Sequence, residues 1–212
     1  MKTKKFNTSQ LTILGLMAGI LFLMAYTPLG YLNIGPLAVT FNVIPVAVCA
    51  IVLGPTGGAI AGAVFGLTSF MQAIGIGGVS ALGSALFQIN PFMTAVQCFG
   101  PRILDGICIG FIYRAVHKKA NTYVSCAVTG FFSAFLNTLF FMTALIVMFG
   151  NTELIRNLMG GHNIIVGCCL MVGVNAISEM VSSTIITAAV GTALSKAHLI
   201  PAVQIVKTDT AA

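Results

Sequence analysis

The chain has 212 residues, of which 58% are hydrophobic and only 7% are charged, with a net charge of +6. A soluble domain carries about 25% charged residues, so this composition and a mean hydropathy of +1.02 exclude a soluble surface. The cations are scattered between apolar runs, which excludes the clustered basic face that binds nucleic acid. We therefore predict one all-α integral membrane domain whose surroundings are membrane lipid.

Six apolar runs are predicted to cross the membrane as a six-helix bundle, bounded by proline, glycine and polar residues. They cover residues 10–26, 37–53, 57–73, 92–116, 122–149 and 164–194. Pro45 is expected to kink the second run. The segment Gly54–Gly58 is expected to form a tight turn that makes a hairpin of the second and third runs. Residues 74–91 are expected to form a long loop packed over the bundle.

Lysine and arginine are distributed unequally over the two sides that six spans define. Eight of the ten fall on the side of the termini: Lys2, Lys4, Lys5, Arg114, Lys118, Lys119, Lys196 and Lys207. The opposite side has only Arg156, and Arg102 is inside a span. The positive-inside rule therefore predicts that both termini are cytoplasmic.

Charged and amide side chains inside the apolar runs are the strongest functional signal, because such groups are costly in hydrocarbon. The set comprises Gln97, Arg102, Asp105, Asn137, Asn175 and Glu179. At about 1.5 Å per residue, the members on three different helices reach one depth. Two interpretations stay open: a structural clasp in which Arg102 pairs with Asp105 or Glu179, and a polar substrate pocket.

Small residues recur at the four-residue spacing that lets membrane helices approach closely. Gly15, Ala18 and Gly19 lie in the first run, and Gly58, Gly62 and Gly66 lie in the third. Such ridges either pack inside the bundle or face outward toward a partner membrane protein.

Motifs of enzymes and ATPases are missing from the sequence. The six cysteines lie in or at the edges of apolar segments without the spacing of a zinc site. No enzymatic activity, cofactor or metal is therefore predicted. A chain of this kind that moves a solute uphill needs energy from a partner or an ion gradient.

Several segments together resemble the substrate-binding S components of energy-coupling factor (ECF) vitamin transporters, in the right order and over nearly the whole chain. The segments are Val39–Val46, Leu53–Gly58, Val64–Phe70, Pro101–Gly106, Asn137–Thr138 and Asn175–Glu179. The resemblance implies a bacterial multi-pass plasma-membrane protein that binds a water-soluble vitamin from outside. It also implies delivery through a transmembrane coupling subunit and two ATPases.

The resemblance further implies a pocket in the outer half of the membrane, capped by residues 27–36 and 74–91. It adds Asn42 to the substrate-binding residues Gln97, Arg102, Asn137, Asn175 and Glu179. In this family the first helix docks on the coupling subunit through an Ala-xxx-Ala pattern. Here Ala18 is followed four residues later by Phe22, so Gly15 and Gly19 supply the spacing instead.

Within the family the chain looks most like the pantothenate branch, and Arg102 could hold the carboxylate of pantothenate as a bidentate pair. Riboflavin would favour more aromatic surface, and the chain has no Trp, yet riboflavin and other small vitamins stay open. A stand-alone ion-coupled carrier would use Asp105 or Glu179 as its titrating site. Such carriers are often inverted repeats, which are not detectable here. A non-transporting scaffold is the third alternative.

Overall fold

The computed structural model describes residues 8–27, 31–33, 38–77, 80–158 and 164–199. Within these ranges the chain forms helices α1 Thr8–Ala25, α2 Val43–Ala73, α3 Ala81–Ile89, α4 Pro91–His117, α5 Thr122–Phe149, α6 Glu153–Leu158 and α7 Ile164–Lys196. A short antiparallel hairpin of β1 Tyr31–Asn33 and β2 Ala38–Thr40 precedes α2. Four of the lysines that support the prediction of cytoplasmic termini lie outside the described residues, namely Lys2, Lys4, Lys5 and Lys207.

Five helical segments in the described part are long and apolar enough to cross a membrane. They are α1, α2, α4, α5 and the portion Asn175–Lys196 of α7. The prediction of a helical integral membrane protein is therefore confirmed at this level.

Helix α2 is broken at Gly54, where φ is 74° and ψ is −164°. A methyl group added at Gly58 would lie 3.0 Å from the Cβ of Ala50, although eight residues of straight helix span about 12 Å. The chain therefore reverses at Gly54, as the tight-turn prediction requires. The kink predicted at Pro45 was wrong, because the helix begins at Val43 and Pro45 lies in the first turn, where a backbone N–H has no helical partner to lose.

Glycines of the second half of α2 face the backbone of α4. A methyl group at Gly58 would overlap the carbonyl oxygen of Gly106, and one at Gly62 would overlap that of Arg102. These two helices are thus in direct backbone contact, so this glycine ridge packs internally. The ridge of α1 differs, because the described residues place no atom outside the α1 backbone within 4 Å of where a side chain would begin at Gly15 or Gly19.

The end of the bundle beyond the α2 and α5 carboxyl termini is covered by two short helices. Ser80 accepts a hydrogen bond from the backbone N–H of Gly83 and begins α3, so residues 74–91 are not the long loop that was predicted. Leu86 of α3 and Ile155 of α6 bury their side chains in an apolar cluster with Met142, Leu145 and Phe149 of α5. The short helices therefore form a packed cover.

The opposite end of the bundle gathers the Gly54 turn and the ends of several long helices. The guanidinium of Arg114, near the end of α4, lies against Gly54. Ile13 of α1 and Leu194 of α7 pack with Val52 of α2 in one cluster. The start of α1 and the end of α7 are consequently on the same side as the turn.

Candidate functional site

Arg102 occupies its place because Pro101 precedes it in the middle of α4. A proline has no N–H, so the carbonyl group four residues earlier, that of Gln97, loses its helical donor. The Nη1 atom of Arg102 donates to this carbonyl oxygen at 2.8 Å. The guanidinium is thereby held along its own helix, at the level of the Gln97 carbonyl.

Two aromatic rings flank the guanidinium of Arg102. Its central carbon lies 4.7 Å from the ring centroid of Phe141 and 5.3 Å from that of Phe65. These are cation–π distances, and such contacts strengthen when the cation is desolvated. The Nε2 atom of Gln97 donates to the backbone oxygen of Phe141 at 2.9 Å and ties α4 to α5 at this level.

Acidic groups complete the electrostatic surroundings of Arg102. Asp105 and Glu179, both almost fully buried, lie close enough to interact electrostatically with it. Ser133 of α5 lies beside Asp105, and its hydroxyl donates a hydrogen bond to the carbonyl oxygen of Val43 at 3.3 Å. The described residues contain no group of three or more His, Cys, Asp or Glu side chains that could hold a metal ion.

Glu179 of α7 contacts the β-hairpin. Its Oε1 accepts a hydrogen bond from the backbone N–H of Thr40 at 2.7 Å. The hydroxyl of Thr40 accepts one from the backbone N–H of Asn42 at 3.3 Å. The Glu179 side chain, the end of β2 and the residue that precedes α2 are therefore connected by hydrogen bonds.

Three buried amide side chains have polar atoms without a hydrogen-bond partner among the described residues. These atoms are Oδ1 and Nδ2 of Asn42, Oε1 of Gln97 and Oδ1 of Asn137. Asn42 stands at the N-cap of α2, yet its side chain makes no capping bond, although Asn is a favoured capping residue. Buried polar groups are normally paired, so these four atoms are exceptions to that rule.

The positions along α5 and α7 bring Asn137 and Asn175 to the same region. Asn137 is one helical turn from both Ser133 and Phe141, whose contacts lead to Asp105 and Arg102 respectively. Asn175 is buried one turn before Glu179, on the same face of α7. The predicted polar residues of α4, α5 and α7 thus converge, and Asn42 joins them through Thr40.

Sequence reasoning missed the groups that hold Arg102 and Glu179. Phe65 and Phe141 are two of 15 phenylalanines in apolar surroundings, and nothing in their local sequence distinguishes them. Thr40 acts through its backbone, which leaves no signature. The bond between Arg102 and the Gln97 carbonyl had a usable signal, because Pro101 lies four residues after Gln97.

The described helices thus form a bundle with buried polar groups of α4, α5 and α7 in its interior and a packed cover at one end. The family described as "ECF transporter, substrate-specific component" matches residues 9–191. The chain belongs to this family, as the resemblance predicted, and is a multi-pass membrane protein of vitamin uptake.

Two relatives cover most of the chain. It is 33% identical over 178 residues to the "Pantothenate transporter PanT" of Leuconostoc mesenteroides, an alignment of 81% of each protein. It is 28% identical over 208 residues to the "Pantothenic acid transporter PanT" of Lactococcus lactis, which covers 92% of this chain and 98% of that protein. Both relatives are thus named for transport of the same vitamin.

Proposed function

We propose that this chain binds pantothenate from outside the cell with high affinity and delivers it through an ECF module of a transmembrane coupling subunit and two ATPases. The names of both relatives support the substrate. The observation that carries the proposal is the guanidinium of Arg102, which lies within cation–π distance of two aromatic rings, near buried amides that have unpaired polar atoms among the described residues.

The chemistry of pantothenate matches this set of groups. Its carboxylate suits the planar guanidinium of Arg102, which can donate two parallel hydrogen bonds. Its hydroxyl and amide groups need both donors and acceptors, which the amides of Gln97, Asn137, Asn175 and Asn42 supply. Glu179 borders the same site, where its carboxyl group already accepts a hydrogen bond from Thr40.

The proposed topology has six crossings, with both termini in the cytoplasm. The break at Gly54 divides α2 into two antiparallel segments. The first, Val43–Leu53, covers only about 16 Å as a helix, so the preceding residues of β2 complete that crossing. The turn then lies on the side of Arg114, Lys118 and Lys119, which the positive-inside rule assigns to the cytoplasm.

The proposed docking surface for the coupling subunit is the outward face of α1. Gly15 and Gly19 are exposed, and among the described residues no atom outside the α1 backbone lies within 4 Å of where their side chains would begin. Ala18, predicted with them, is half-buried at the edge of this face. A flat small-residue ridge lets a second membrane helix approach closely.

Calorimetric titration with pantothenate and with its neutral alcohol analogue tests the role of Arg102. The unmodified protein should strongly prefer the acid. Arg102→Lys should weaken pantothenate binding, because an ammonium keeps the charge but loses the planar fork. Loss of a buried charge-assisted contact commonly costs about 2–5 kcal/mol, or roughly thirty- to several-thousand-fold in affinity. Arg114→Lys, on the same helix but at the inner end, is the matched control and should bind normally.

Equal binding of the acid and the alcohol by the unmodified protein would refute a carboxylate-reading Arg102. A structural clasp makes a different prediction, in which Arg102→Lys lowers the yield of folded protein and leaves the affinity of the surviving fraction unchanged. Tight binding of riboflavin with no binding of pantothenate would move the substrate to another branch of the family.

Dependence on the coupling module separates the proposal from a stand-alone carrier. Reconstituted alone in liposomes, the chain should bind pantothenate without sustained uphill uptake, because its sequence has no nucleotide site. Accumulation driven by a proton or sodium gradient with no other protein present would assign it to the carriers.

A further inference from the structure

Glu179 of α7 forms a hydrogen bond with the backbone of the β-hairpin, which is a different role from direct contact with a substrate. Its carboxylate oxygen lies 2.7 Å from the backbone nitrogen of Thr40, 139 residues away in sequence. Glu179 is only 5% exposed, so this bond is shielded from water. A carboxyl oxygen can accept such a hydrogen bond in either protonation state.

The contact continues into the site through Thr40. Its hydroxyl oxygen accepts from the backbone N–H of Asn42, and Asn42 is the buried amide with both polar side-chain atoms unpaired among the described residues. A movement of Thr40 away from α7 would therefore displace Asn42 as well. The antiparallel pairing of Thr40 with Tyr31 extends the same constraint to β1.

We propose that Glu179 is a positioning residue: it holds the β1–β2 hairpin on α7 through the Thr40 N–H and thereby sets Asn42 for the ligand. This proposal rests on the proposed function, because it takes the site next to the hairpin to be the vitamin site. In this role Glu179 affects affinity through the hairpin and makes no contact with the vitamin itself.

Amide hydrogen exchange in lipid nanodiscs tests the first half without any ligand. Glu179→Leu removes the acceptor, and exchange in a peptide covering residues 38–42 should become about ten- to a hundredfold faster. Glu179→Gln keeps a side-chain oxygen acceptor and should restore most of the protection. Ser182→Ala is the matched control on the next turn of α7, because the Ser182 hydroxyl bonds only to its own helix among the described residues.

Unchanged exchange of this peptide in Glu179→Leu would overturn the proposal. Equally accelerated exchange in α3 and α5 would also overturn it, because Glu179 would then support the whole fold. If the acceleration is local but the unmodified protein binds no pantothenate, the proposed function fails and the role of Glu179 in holding the hairpin stands.

A double-mutant cycle on pantothenate affinity tests the second half. Thr40→Pro removes the donor N–H and also the hydroxyl that accepts from Asn42, so it breaks the connection on both sides of Thr40. The residue before it is already extended, as a proline requires. If Glu179 acts through Thr40, the double variant should bind about as well as the weaker single variant, with both single variants at least tenfold weaker than the unmodified protein. Additive losses would show that Glu179 touches the vitamin directly and would overturn its role as a positioning residue.

Discussion

Replacement of Gly62 by alanine should disturb the site from the neighbouring helix. The added methyl group would overlap the carbonyl oxygen of Arg102 and lie 2.8 Å from its carbonyl carbon, whereas ordinary contacts begin near 3.4 Å. The two backbones must therefore move apart by more than half an ångström. Overpacking of this kind costs about 1–3 kcal/mol, which exceeds the gain of up to about 1 kcal/mol from replacing glycine within a helix.

The consequence should appear in both stability and binding. Thermal unfolding in detergent should occur about 2–10 °C lower for Gly62→Ala. Pantothenate affinity should fall by about tenfold or more. The shift of α4 moves the Arg102 guanidinium away from the vitamin carboxylate, and a charge-assisted hydrogen bond between them needs a distance of about 2.8 Å. Calorimetry on the folded fraction separates the two effects.

Gly15→Ala is the control, because Gly15 also lies within a helix, α1, but the described residues place no atom outside its own helix backbone within 4 Å of the new methyl group. It should be as stable as the unmodified protein or more stable, with normal affinity. If Gly62→Ala matches Gly15→Ala in stability and affinity, the direct backbone contact between α2 and α4 is refuted as the feature that positions Arg102.

Three further predictions concern topology, docking and the cover. In a background without native cysteines, an impermeant thiol reagent added outside should label a cysteine at Asn151 and not one at Ala120; the reverse pattern would invert the proposed topology. Gly15→Leu and Gly19→Leu should weaken co-purification with the coupling subunit and spare vitamin binding, and unaltered assembly would move the docking face elsewhere. Ile155→Ala should destabilise the protein by about 2–5 kcal/mol in thermal unfolding, and a change below 1 kcal/mol would mean that α6 is not part of the packed cover.

The helical membrane class was predictable because apolar runs of about 20 residues are typical of membrane-spanning helices. The convergence of Arg102, Asn137 and Glu179 also followed from the sequence, since helical rise converts residue number into depth. The internal hairpin followed from Gly54 and Pro55, because these residues end a helix wherever the tertiary fold places them.

The start of α2 was not predictable, because residues 38–42 are mostly as apolar as the helix that follows and Pro45 is compatible with either a kink or a first turn. Helix α3 was not predictable either, because its glycine and serine content is typical of a loop and conceals the capping role of Ser80. The aromatic flanks of Arg102 depend on the register between helices, which no local pattern encodes.

The bond between Arg102 and the Gln97 carbonyl constrains any effort to retarget this protein to a different cargo. A library that varies only Arg102 would leave the carbonyl group beside Pro101 without its donor in a buried setting, a burden of about 1–3 kcal/mol on every variant. Variants that bind the new substrate well would then be lost from the selection because they fold poorly. Varying the pair together, with alanine allowed at Pro101 to return a backbone N–H, would let selectivity change without that handicap.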